Sequence, residues 1–141
     1  MSGAAIRLSE AGDKRPGAML TDCVLVVEDE FLIAQGLALQ AEDLGLSVCA
    51  IADEADEAVQ QAQFHRPKLV FMDVRLRGER DGVDAAMAIH DTVGSKVIFI
   101  TGSREPATLT RIQADHPAGI LFKPVSDLQF KAAVEAALGE D

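Results

Sequence analysis

Five short, nearly unbroken apolar runs, at 23–27, 47–51, 68–72, 96–100 and 118–122, recur along the chain with helix-length stretches between them. An apolar run without polar alternation fits a strand covered on both faces rather than a half-exposed one. The first intervening stretch, 31–44, places Ala34, Leu37, Ala38, Ala41 and Leu44 on one helical stripe, and Gly45 after it reads as a stop. Helices are also expected at 54–64, with Asp53 as N-cap, and at 82–91, with Asp81 as cap. A short helix is expected at 106–114, and a last one runs from a Ser126 cap to Leu138. Strand and helix thus alternate five times. That pattern predicts an α/β fold, a parallel sheet doubly wound by helices on both faces through right-handed crossovers.

The 141 residues suit one domain able to bury a core without disulfide or metal staples. Residues 1–20, with three glycines, Pro16 and no sustained period, are expected to form a flexible leader, and 21–141 the folded domain. No output domain is expected after Asp141. The formal charge of −10 disfavours direct nucleic-acid binding, which needs clustered Lys and Arg. The absence of Trp and Tyr removes the usual platforms for stacked bases. The apolar runs are far too short to cross a bilayer, and no basic start leads into a long apolar segment. A cytoplasmic protein without membrane contact is therefore expected. Cys23 and Cys49 sit in apolar contexts and read as reduced core thiols. His65, His90 and His116 lie far apart, without the spacing of a zinc site.

In a parallel α/β sheet, ligands bind at the carboxyl ends of the strands. The first apolar run leads into Glu28, Asp29 and Glu30, the third ends at Asp73, the fourth at Thr101 and the fifth at Lys123, which precedes Pro124. Taken singly, Asp73 reads as a helix cap or loop carboxylate, Glu28 and Asp29 read equally well as caps of the helix that follows, Thr101 as an ordinary strand-end residue and Lys123 as a surface lysine. Together they put three carboxylates, a hydroxyl and an ammonium on one edge. Clustered carboxylates repel one another unless a cation sits among them. Oxygen donors alone suit a hard ion such as Mg²⁺. A carboxylate can act as a nucleophile toward phosphorus, and phosphoryl transfer needs charge neutralisation and positioning above all. A haloacid-dehalogenase-type phosphatase would want a second Asp two residues after Asp73, where this chain has Arg75. A flavodoxin-like cofactor binder would want Ser, Thr and Gly after the first strand, where Glu-Asp-Glu would repel a phosphate.

Four stretches, Val-Leu-Val-Val-Glu-Asp-Glu at 24–30, Leu-Val-Phe-Met-Asp-Val-Arg-Leu at 69–76, Val-Ile-Phe-Ile-Thr-Gly at 97–102 and Ile-Leu-Phe-Lys-Pro-Val at 120–125, resemble the response-regulator receiver family in order and spacing. The resemblance spans roughly 21–139. It implies a flavodoxin-like (βα)5 sheet of order 2-1-3-4-5 and a signalling role rather than an enzyme. Asp73 would be the phosphoacceptor. Asp29 would be a direct Mg²⁺ ligand with Asp73 and the backbone carbonyl of Arg75, and Glu28 would act through water. Thr101 would be the switch hydroxyl, and Lys123, with a cis bond to Pro124, the phosphoryl contact. The implied partner is a sensor histidine kinase or a histidine phosphotransfer protein, and the implied assembly a monomer or weak homodimer. The alternative is a receiver-like interaction module that is never phosphorylated. Two departures stand out. Ile120 takes the place of the family's switch aromatic, and Gly102 follows Thr101. Switching by ordering of the loop after Thr101, with a short or mobile fourth helix, is therefore expected. The Phe-Ile-Thr-Gly stretch also resembles, with Ser103 in place of Tyr, an alphaproteobacterial subgroup of stand-alone receivers served by HWE-type kinases.

Overall fold

The computed structural model of the protein describes residues 19–139. The expected leader falls, but for Met19 and Leu20, outside them. Leu20 packs against the core and the Thr21 N–H donates to the Arg66 carbonyl at 2.7 Å.

The elements run β1 (Cys23–Val27), α1 (Phe31–Asp43), β2 (Ser47–Ala52), α2 (Ala55–His65), β3 (Leu69–Asp73), α3 (Gly82–Thr92), β4 (Lys96–Thr101), α4 (Pro106–Ala114), β5 (Gly119–Phe122) and α5 (Asp127–Leu138). All strand pairings are parallel, in the order β2-β1-β3-β4-β5. Each expected element is present, with ends displaced by one residue or so.

Alternate side chains of the central strands build two cores, as the two-residue period of a strand requires. Leu25, Val27, Val70, Met72, Val97 and Phe99 face α2 and α3, with Ile112 of α4. Val24, Val26, Leu69, Phe71, Ile98 and Ile100 face α1 and α5. On that second face Phe71 and Phe130 stack with ring centroids 4.8 Å apart. α2 buries only Ala55, Ala58 and Ala62, small residues that let it lie close to the sheet.

The caps follow side-chain chemistry, with one correction. Asp81 accepts from the N–H groups of Val83 and Asp84 while Asp84 reaches back, a full capping box. Ser126 and Gln129 do the same for α5. Asp53 is not the cap of α2. That position is Glu54, which makes no side-chain cap bond. The Asp53 N–H, just before the cap, donates to the Glu57 carboxylate at 3.1 Å. The Asp53 carboxylate turns instead toward Arg77, 3.5 Å away. The cysteines also differ from expectation. Both are free and only half-buried, because they lie near the rim, where the β1–β2 register shifts, rather than in the core.

Candidate functional site

Four parallel strands end at one edge, and their last residues converge there. Glu28 follows β1, Asp73 ends β3, Thr101 ends β4 and Lys123 follows β5. Glu28, Asp73 and Thr101 are buried, and Asp29 is half-buried. One carboxylate oxygen from each of Glu28, Asp29 and Asp73 lies within 4.8 Å of the others. The Lys123 ammonium sits 3.0 Å from Glu28 and 3.4 Å from Asp73. Backbone pairing sets its height, since the Lys123 N–H donates to the Thr101 carbonyl at 2.9 Å. The Lys123–Pro124 peptide bond is cis. Asp29, Asp73, Thr101 and Lys123, with Arg75 and Ser103, border an open cavity of about 780 Å³, and Glu28 lies behind them against Lys123. The side chains of Glu28, Asp29, Asp73, Thr101 and Lys123 thus gather at one edge of the sheet.

Three acids around one ammonium leave unbalanced negative charge. Burial, and then the neighbouring Glu28 carboxylate, push the Asp73 carboxyl up to about 7, against the pull of Lys123. Burial opposes the charge of Lys123 too, but its contacts with Glu28 and Asp73 outweigh it and raise its pKa. Glu28 Oε1 is buried and is met by the Lys123 ammonium at 3.0 Å. One ammonium does not neutralise three clustered carboxylates, and a donor set of oxygens with no nitrogen or sulfur among them fits a small hard cation such as Mg²⁺.

The loop after Asp73 is held from three sides. The Gly82 N–H donates to the Val74 carbonyl at 2.7 Å, closing the loop on itself. Arg80 Nε bonds Asp56 at 3.0 Å, beside the Arg77–Asp53 pair, and so straps the loop to the start of α2. Arg111 of α4 reaches Asp81 with both terminal guanidinium nitrogens, at 2.7 and 3.1 Å. Burial disfavours the Asp81 charge, yet Arg111 and the Asp84 N–H hold its carboxyl below the ordinary range. Sequence reading found Asp81 as a cap and missed Arg111 as its partner. No local pattern announces a pairing across 30 positions. Asp81→Ala removes both the cap and the clamp. We expect a loss of about 1–2 kcal/mol, read from the urea midpoint at constant slope.

Gly82 was also missed, although a glycine opening a helix is itself a signal, since it is a poor helix former. A Cβ there would lie 1.9 Å from the Asp73 carbonyl oxygen. The first turn of α3 thus presses directly on the backbone of the central carboxylate.

Residues 24–135 match the family model described as the response regulator receiver domain. Among curated relatives, the transcriptional regulatory protein PdtaR of Mycobacterium tuberculosis is 33% identical over 115 residues, covering 82% of this chain and 56% of PdtaR. The phyllosphere-induced regulator PhyR of Methylorubrum extorquens is 33% identical over 132 residues, covering 93% of this chain and 48% of PhyR. The chain thus spans about half the length of these relatives. Among solved structures, the signal receiver domain of a modulated diguanylate cyclase from Desulfovibrio desulfuricans superimposes with a TM-score of 0.78 at 36% identity, covering 83% of this chain and 93% of that one.

Proposed function

The chain belongs to the response regulator receiver domain family, and from that membership we propose that it accepts a phosphoryl group on Asp73 from a sensor histidine kinase or a histidine phosphotransfer protein. The observation that carries this reading is the convergence of Lys123 on Asp73, at 3.4 Å, beside the three clustered carboxylates.

In this mechanism a carboxylate oxygen of Asp73 attacks the phosphorus of a phosphohistidine. The O–P bond forms, the N–P bond breaks and the electron pair leaves with the imidazole. Lys123 binds one phosphoryl oxygen and releases part of its hold on Glu28. The Thr101 hydroxyl donates to another oxygen. The side chains of Glu28, Asp29 and Asp73, with the Arg75 backbone carbonyl, would hold Mg²⁺, Glu28 through water. The bound ion supplies positive charge against that developing on the phosphoryl oxygens. The aspartyl phosphate then biases the surface around β4 and β5, and the signal leaves through altered protein contacts. The phosphodonor has a ready seat. Phe31 and Leu32, which follow the cavity-lining Glu30 at the start of α1, are 71% and 81% exposed. An apolar pair beside a charged pocket suits a helical partner that carries its phosphohistidine among apolar residues. No described helix is long and apolar enough to cross a membrane. We place the protein in the cytoplasm as a monomer or weak homodimer.

Acetyl phosphate with Mg²⁺ should add one phosphoryl mass to the protein, and chelation should prevent it. Transfer from a panel of purified, phosphorylated kinases should then single out a fast donor. A chain that takes no label from acetyl phosphate or from any kinase would contradict the reading.

A further inference from the structure

The segment between Thr101 and α4 is held by a run of hydrogen bonds in which each link begins where the previous one ends. The Thr101 hydroxyl oxygen accepts from the Ser103 N–H at 3.0 Å. The Ser103 hydroxyl oxygen accepts from the Glu105 N–H at 3.2 Å. Glu105 is the N-cap of α4, and its carbonyl accepts from the Leu109 N–H at 3.0 Å. Among the described residues, Gly102, Ser103 and Glu105 show no further hydrogen bond that would tie them elsewhere. In the middle of the segment Arg104 rests on β5, its guanidinium 3.9 Å from the centre of the Phe122 ring.

We propose that Ser103 is a positioning residue that carries movement of the Thr101 hydroxyl into the first turn of α4. The inference rests on the reading of Asp73 as phosphoacceptor and names the path that follows it. A threonine hydroxyl has one proton to donate and lone pairs that accept. Thr101 can therefore turn its proton toward a phosphoryl oxygen while still accepting from Ser103. As its oxygen moves toward the pocket, the Ser103 N–H follows, and the Ser103 hydroxyl draws the Glu105 N–H after it. Gly102 leaves the link free to bend. The far half of α4 stays in place, fixed by buried Ile112 and by the Arg111 clamp on Asp81. The first turn, where Pro106 and Ala107 are exposed, can pivot against it. The Arg104–Phe122 contact is the resting stop, an aromatic hold one residue before Lys123 in a chain whose position 120 is aliphatic.

The test uses the whole chain with Mg²⁺ and beryllofluoride, a stable mimic of the phosphoryl group, and follows backbone amides by NMR. In the wild type the mimic should shift the amides of Ser103, Glu105 and Leu109 and alter their exchange. In Ser103→Ala the mimic should still load, reported by its fluorine resonance, while its effect at Glu105 and Leu109 disappears. Ser103→Thr, which keeps the hydroxyl, should restore it. A second arm needs no ligand. Thr101→Val should raise Glu105 exchange about fivefold, the factor one net hydrogen bond supports, in the Ser103 background and not in the Ser103→Ala background. A full response at Leu109 in loaded Ser103→Ala, or no rescue by Ser103→Thr, overturns the relay alone. A wild type that binds no beryllofluoride overturns the phosphoacceptor reading and the relay with it.

Discussion

Asp73→Asn is expected to take no phosphoryl label from acetyl phosphate or from a phosphorylated kinase, and at the same time to be more stable than the wild type in Mg²⁺-free buffer. Both effects come from the same carboxylate. The amide has no anionic oxygen to attack phosphorus, so the acceptor is lost outright. The second effect follows from linkage. Asp73 titrates near 7 in the fold because burial and Glu28 oppose its charge, against about 4 for an unperturbed carboxyl. Between those values the native state binds more protons than the unfolded chain, so this group makes stability fall as pH rises. Asparagine does not titrate. The advantage of the variant should therefore be absent below about pH 4, grow up to about pH 7 and then level off. Thermal melts across that window with chelator, paired with labelling, measure both. Retained label would refute the acceptor. A variant no more stable than wild type at neutral pH would refute the electrostatic account of the pocket.

Gly82→Ala should be the most damaging small substitution in the domain. Its added methyl would sit 1.9 Å from the Asp73 carbonyl oxygen, 2.9 Å from the carbonyl carbon and 3.0 Å from the Met72 side chain. The obstacle is backbone, so no rotamer change relieves it. Either α3 lifts, breaking the Gly82–Val74 bond and disturbing the Asp81 cap, or β3 shifts and moves the acceptor. A cost of about 3 kcal/mol is expected, at the upper end for overpacking, with a parallel drop in acetyl-phosphate labelling. Gly102→Ala is the control. A Cβ there meets nothing within 4 Å, so denaturation should stay within about 0.5 kcal/mol of wild type. If Gly82→Ala were as mild as its control, the close approach of α3 to Asp73 would be mistaken.

The sheet and its strand ends were legible because they rest on local patterns. Unbroken apolar runs such as 97–100 declare buried strands, and the polar residue closing each run falls on one edge by topology alone. Asp73, Thr101 and Lys123 are thus grouped by their places in the sequence alone. Features that depend on contact between distant residues were not legible. The Arg111–Asp81 clamp and the seat of Arg104 on Phe122 join elements whose relative placement no short pattern encodes. Asp53 shows a subtler limit. Asp53 and Glu54 are both acidic and either could precede the helix, and the Asp53 carboxylate is taken up by Arg77, an ion pair between distant positions. The expected short fourth helix is there, nine residues with one buried side chain. It is nonetheless moored at its far end by Arg111, which directs any motion to its start.

The division of helices between the two faces of the sheet has a consequence for traffic. α1 and α5 cover one face, while α2, α3 and the anchor of α4 cover the other. The cavity is where the two layers meet, since Glu30, just before α1, and Glu105 and Thr108, at the start of α4, line it together. A donor resting on Phe31 and Leu32 would therefore stand across the same mouth from the first turn of α4, so arrival and output share one rim.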